Sequence, residues 1–345
     1  MTESLIPELL RREDWGEDGD MVSSFLASPW FSLLEESLGS LKRESLYRSH
    51  AHGVGHIERV MVHGAMCARA ERLGEGDTRL LLAMCAYHDT GRSCDYLDAS
   101  HGLRSAEKLA SLTGLRGEAL AEAMAGVEAH SQPDGIMEDI LASHRPGDLP
   151  RARLLAQMLK DSDGLDRVRI HDLDTGYLRR PPSRERGSFA WRLFERYAAL
   201  EAARGLNGEA EGFDLPTVHR VRAMVTERFA AGDGGGATAL RVWDELTGAQ
   251  LADVLGGPAG ETELCGIPAA ARRYFGALFA REGREKGEIE EMYRVFLQRF
   301  CRQYGSDRCA GLRPKKGCNS FAVDSILFTC QYLYEENRRK GAGEP

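Results

Sequence analysis

Several of the chain's histidines stand where a helix would carry them into the interior. His56 opens a helical pattern, His56-Ile-Glu-Arg-Val60, after the glycine-containing lead-in His52-Gly-Val-Gly-His56. The pair His88-Asp89 closes an apolar run that begins at Leu80. His101 precedes an amphipathic run starting at Leu103, and His130 ends a pattern carrying Leu120, Met124 and Val127. Asp163 follows Leu155 and Leu159 at helical spacing, so it too points inward. Burying such groups is costly unless they are partnered. One inward histidine is usually a hydrogen-bonded structural residue, and an adjacent His-Asp pair arises easily by chance. Separate segments that each deliver a His or Asp to the interior predict a metal site instead. Imidazole nitrogen with carboxylate oxygen suits Zn, Fe, Mn and Co, and is less typical of Ca.

The elements that must position these groups read as helices. Apolar residues recur at helical spacing over 24–38, 55–73, 77–88, 103–112, 117–131, 150–166, 188–204, 215–231, 269–282, 285–304 and 321–339, while alternating strand-like runs are scarce. The fold class expected is therefore all-α. Residues 80–86 are apolar on every side, which predicts the most buried helix. Gly232-Asp-Gly-Gly-Gly236 has the composition of a linker. It separates an N-terminal helical extension (1–44) and a metal-binding domain (45–231) from a C-terminal helical region (237–345). In that last region Tyr293, Phe296, Phe300, Phe321, Phe328 and Tyr332 recur at helical spacing and read as core, and the C-terminal helices are the expected route to a homo-oligomer.

Forty-five basic and 53 acidic residues give a net charge of −8. That balance argues against non-specific binding to nucleic acid or to an anionic membrane. It leaves an anionic substrate open, because a bound divalent cation supplies its own local positive charge. The eight cysteines are scattered without a Cys-x-x-Cys pair, and Cys309 and Cys318, near Lys315-Lys316, lack the four ligands of a zinc site. The N-terminus lacks the basic and apolar regions of a signal peptide, and no apolar stretch is long enough to span a bilayer. The expected compartment is the cytoplasm.

Three segments carry a family resemblance: His56-Ile-Glu-Arg-Val60, Ala86-Tyr-His-Asp-Thr-Gly-Arg92 and Lys160-Asp-Ser-Asp-Gly-Leu-Asp166. Over about residues 45–180 the chain resembles the HD-domain superfamily of metal-dependent phosphohydrolases. The last two segments are similar to its His-Asp-x-Gly and Asp-x-Asp-x-Leu-Asp elements. The resemblance implies an HD helical bundle in which His56, His88, Asp89 and Asp163 hold one divalent ion (Mn, Fe, Co, Zn or Mg). Asp161 and Asp166 are then supporting or structural. His101 and His130 sit where two-metal members carry two further histidines, and Asp89 would bridge ions about 3.5–4 Å apart. The other place for His101 is a cap on the helix that follows it.

That ligand set implies hydrolysis at phosphorus by a metal-activated water. Asp89 and Arg92 are the expected catalytic residues. Arg92, three residues after Asp89, is the first candidate for holding the substrate's phosphate, with Lys160, Arg167 and Arg169 as weaker ones that read more naturally as solvated surface. The substrate expected is a small phosphorylated molecule, a nucleotide by superfamily habit. A minority of the superfamily uses the same ligands in di-iron oxygenases, and a non-catalytic nucleotide-sensing scaffold is the third reading. Gly176-Tyr177-Leu178 falls in the wrong place for the signature of the cyclic-dinucleotide subfamily, although Tyr177–Arg180 could line a pocket. Gly234-Gly-Gly-Ala-Thr lacks the ending of a phosphate-binding loop. His52 suits a supporting role beside the metal, whereas His50 suits the surface.

Overall fold

The periodicity that predicts helices yields helices throughout. The computed structural model is all-α, with no strand among the residues it describes (4–95, 98–205, 213–255, 265–308, 312 and 318–341). Among those residues no helix is long and apolar enough to cross a membrane. The chain divides into two units, Met1–Leu215 and Pro216–Pro345.

In the first unit the helices run α1 (Ile6–Arg12), α2 (Gly19–Leu26), α3 (Pro29–Gly39), α4 (Val54–Ala70), α5 (Glu75–Tyr87) and α6 (His101–Thr113). They continue with α7 (Gly117–His130), α8 (Met137–Ser143), α9 (Leu149–Leu165), the short α10 (Pro181–Arg184) and α11 (Gly187–Ala203). The single helix expected over 24–38 is two. Pro29 starts α3 behind an extended Ser28, and proline's fixed φ and missing N–H suit a first turn rather than a helix interior. Residues 1–44 are no appendage. Ile6, Leu9, Leu10, Phe25, Phe31 and Leu34 belong to the same buried cluster as the apolar residues of α4 and α5.

The helix at the centre is α4, not α5, which carries the apolar stretch 80–86. Every residue from His56 to Ala68 is buried, and α4 packs against α3, α5, α9 and α11. Its charges can be enclosed because they are paired. Glu58 bonds Arg43 and the Tyr197 hydroxyl, and Arg59 bonds Asp166. The first half of α5 lies at the surface, and only its end, carrying Leu80–Leu82 and Met84–Tyr87, is interior.

The second unit contains α12 (Leu215–Ala230), which begins at the division, α13 (Gly235–Thr247), α14 (Ala252–Leu255), α15 (Gly266–Arg281), α16 (Lys286–Tyr304) and a last helix, Cys318–Gly341. Its core is aromatic. Phe275 stacks on Tyr332 at 5.7 Å and meets Phe296 at 5.0 Å, with Phe300 and Phe328 beside them. The glycine segment at 232–236 lies inside this unit. It makes the turn from α12 into the first turn of α13, where Gly236 packs directly on the backbone of Gly266. Its glycines serve a turn and a close helix crossing, which composition alone does not separate from a tether. Cys309, Lys315 and Lys316 lie outside the described residues.

Candidate metal centre

Helix ends bring the site together. His56 stands in the first turn of α4, His88 caps the end of α5 and Asp89 follows it, His101 is the first residue of α6, His130 the last of α7, and Asp163 lies in the last turn of α9. Close backbone contact makes this convergence possible. A side chain on Gly91 would meet backbone atoms of His101, Arg104 and Ser105, and one on Gly102 would meet the Val127 and Glu128 carbonyls. The turn after Asp89 is thereby pressed onto the start of α6, and the start of α6 onto the end of α7. Gly91 donates its N–H to Ser105 Oγ (2.8 Å) and accepts from Arg104 Nε (2.8 Å), which fixes the join.

The four histidines share one orientation. In each, Nδ1 donates to an oxygen: His88 to the Cys85 carbonyl (2.9 Å), His101 to that of Asp98, His130 to that of Val127, and His56 to Asp166 Oδ2 (2.8 Å). That fixes the tautomer and leaves a lone pair on every Nε2. The Nε2 atoms converge in pairs, His56 and His88 at 3.2 Å, His101 and His130 at 2.9 Å. Two lone pairs at such separations repel unless a cation lies between or beside them.

Asp89 sits between the pairs. Its Oδ1 is 3.1 Å from His101 Nε2 and 3.7 Å from His130 Nε2, while its Oδ2 is 3.5 Å from His56 Nε2 and 3.7 Å from His88 Nε2. Oδ1 is buried without a hydrogen-bond partner, an expensive state for a carboxylate oxygen in a protein interior. Asp163 Oδ1 lies 3.5 Å from His56 Nε2 and 3.9 Å from His88 Nε2. Ligand atoms of His52, His56 and Asp89, of His56, His88 and Asp163, and of His88, Asp89 and His130 fall in groups within 4.8 Å. Lone pairs facing each other, an orphaned carboxylate oxygen and an all-nitrogen-and-oxygen donor set fit one or two divalent ions. The centre is enclosed on most sides: the Asp163 side chain is 28% exposed, against at most 7% for the other five residues.

The surrounding charges follow from this geometry. Burial pushes the His88 imidazole down to about 3 and lowers His52 and His101 as well. Burial alone would raise the Asp89 carboxyl, but the Arg92 guanidinium beside it leads the opposing effects, and the carboxyl lies well below its usual range. Asp163 is lowered as well, burial being overcome by surrounding positive charge, that of Arg169 included.

Of the aspartates in the last motif, Asp163 is the one beside the converging Nε2 atoms. Asp161 accepts from the backbone N–H groups of Arg179 (2.8 Å) and Arg180 (2.7 Å), pinning the 178–180 segment to α9. Asp166 is fully buried and accepts from Arg59 Nε (2.6 Å) and His56 Nδ1 (2.8 Å). Arg92 places Nε 2.9 Å from Asp89 Oδ2. The other expected phosphate binders differ from one another. Arg167 turns back onto Asp172, five residues on, and is not drawn into the cluster. Lys160 is buried and donates to the Ala129 (3.2 Å) and Gln132 (2.6 Å) carbonyls at the end of α7. Arg169, read from sequence as solvated surface, is buried beside the centre. It donates from Nε to the Ala51 carbonyl and from Nη2 to His52 Nδ1 (3.1 Å).

His52, expected in a supporting role, lies beside Asp89. Its Nδ1 also lies 3.0 Å from Asp89 Oδ2, so neither tautomer satisfies both neighbours at once. The spacing His52-x-x-x-His56 was the available signal. His101 does begin α6, as a cap would, but its ring is turned to Asp89 and His130. Tyr177 is 58% exposed, on the segment anchored by Asp161. The chain matches no family model, no curated protein and no solved structure.

Proposed function

We propose that the chain is an HD-type metal-dependent phosphohydrolase with a two-ion centre, acting on a small phosphorylated molecule of the nucleotide class. The observation that carries this reading is the paired convergence of four Nδ1-anchored histidines on the two oxygens of Asp89. His56, His88, Asp163 and Asp89 Oδ2 would hold one ion, and His101, His130 and Asp89 Oδ1 the other. Divalent ions there would lower the pKa of a water and polarise the phosphoryl group. The chain's own residues do the rest. Asp166 and the main-chain carbonyls fix the tautomer of each imidazole and aim its Nε2. Arg92 and Arg169 add fixed positive charge beside Asp89 and His52, suited to a bound phosphate. The partly open side at Asp163 is the approach for the substrate.

Metal analysis of protein purified without chelators, followed by a phosphoester and nucleotide screen with the metal found, tests the proposal. Stoichiometric metal with release of phosphate or nucleoside is the expected result. Protein that takes up none of Mn, Fe, Co, Zn or Mg, or that loads metal and releases nothing, refutes it. Iron with O₂ consumption and no phosphate release would keep the centre and replace the reaction.

A further inference from the structure

Beside the centre, three N–H donors from two cations meet on one oxygen atom. Asp134 Oδ1 lies 2.8 Å from Lys160 Nζ, 2.8 Å from Arg179 Nη2 and 3.3 Å from Arg179 Nε. Both cations are fixed by other contacts. The remaining donors of Lys160 go to the Ala129 and Gln132 carbonyls. Arg179 is tied to Asp161 through its backbone N–H and through Nη1 (3.3 Å). Asp134 is the loosely held member. Its side chain is 52% exposed, and it belongs to the three-residue turn Asp134–Ile136 rather than to a helix.

The location ties this cluster to the site. Lys160 precedes Asp163 by one helical turn on α9, so the two side chains share a face. Ala129, whose carbonyl Lys160 holds, is the neighbour of His130 in sequence. We propose that Lys160 and Arg179 form an anion subsite for a second phosphate of the substrate, and that the Asp134 carboxylate occupies it as a built-in competitor. The inference rests on the hydrolase reading and narrows its substrate to phosphate compounds bearing a second anionic phosphate, of the nucleoside diphosphate kind. A phosphate oxygen would take the position of Asp134 Oδ1 and accept the same three donors, with more negative charge than the carboxylate it displaces. Asp134 then swings into solvent on its turn. In the absence of such a ligand it keeps the buried Lys160 charge compensated.

Calorimetric titration of the full-length, chelator-stripped protein with inorganic pyrophosphate reads this subsite without the metals. Asp134→Asn is expected to tighten pyrophosphate binding about tenfold, because the competing charge is removed while the donors stay. Adding Lys160→Met is expected to cancel that gain. Unchanged or weaker affinity in Asp134→Asn overturns the proposal, since a merely structural ion pair would lower the melting temperature without tightening a ligand. Should that variant fail to fold, Arg179→Gln carries the test, with about tenfold weaker pyrophosphate binding expected and unchanged affinity counting against the subsite. Metal content and orthophosphate binding by the metal-loaded wild type report separately on the hydrolase reading. Their failure alongside a tightened Asp134→Asn leaves the subsite standing and removes the reaction.

Discussion

His63 offers a test of how dry the interior below the proposed metal centre is. It lies two turns along α4 from His56, fully buried and edge-on to Phe189 at 6.0 Å between ring centroids. Neither ring nitrogen has a hydrogen-bond partner. Burial pushes its pKa down to about 3, against about 6.5 in an unfolded chain. The folded protein therefore keeps this imidazole neutral over a range where the unfolded chain protonates it. Between those two values the unfolded state binds more protons, so stability falls as the pH falls. The slope is about 1.4 kcal/mol per pH unit. That slope builds up as the unfolded imidazole protonates, so acidification from about pH 7 to about pH 5 removes roughly 2 kcal/mol through His63 alone, a large part of the 5–15 kcal/mol typical of a folded domain. His63→Leu deletes the titration while keeping an apolar side chain against Phe189. Urea unfolding of metal-loaded wild type and variant, at pH values from about 7 to about 5, reads the difference between them. The titration of metal ligands is common to both proteins and cancels. The variant is expected to gain roughly 2 kcal/mol on the wild type across that range. A difference that stays constant to within about 0.5 kcal/mol would refute the reasoning.

Three other substitutions probe the centre itself. Asp166→Asn leaves the buried Arg59 guanidinium without its counter-charge and presents His56 Nδ1 with a neutral partner. Denaturant unfolding should show a loss of about 3–5 kcal/mol, and competition with a chromogenic chelator a 10–100-fold weaker metal affinity. Asp89→Ala is expected to abolish metal loading, since both proposed positions use its oxygens; full occupancy by elemental analysis would sink the two-ion arrangement. Gly91→Ala drives a methyl group into the α6 backbone, which has no side-chain end to give way. It should cost about 1–3 kcal/mol and selectively weaken the ion assigned to His101 and His130, read as a fall in metal stoichiometry with the other site retained.

Helical periodicity and residue type were enough to make the all-α class and the inward histidines readable, because both are local properties. His56, His88, His101 and His130 each sit at a helix end that capping and apolar spacing already mark. Groups whose partners lie far along the chain were harder. Asp161 and Asp163 share one helix, and what separates them is a pair of amides at Arg179 and Arg180. Lys160 and Arg169 look like surface charges until the carbonyls of Ala129, Gln132 and Ala51 are seen to receive them. Arg167, one residue after Asp166, points instead to Asp172. For the same reason α4 conceals its central position. Glu58, Arg59 and His63 dilute its hydropathy, although two of the three are neutralised by residues from elsewhere in the fold.

The way the histidines are aimed says where this centre can drift under mutation. His88, His101 and His130 each donate Nδ1 to the main-chain carbonyl three residues earlier, a contact that survives any change of side chain at Cys85, Asp98 or Val127. Only His56 depends on another side chain, Asp166. The aim of these three histidines therefore does not depend on the side chains of the residues that accept from them, provided Gly91 and Gly102 keep the helix ends in contact. At His56 the aim rests on Asp166 together with the Arg59 that answers it. A designer moving this site into another helical scaffold would have to carry that pair across intact, while the other three histidines would need helix ends brought as close as Gly91 and Gly102 bring them here.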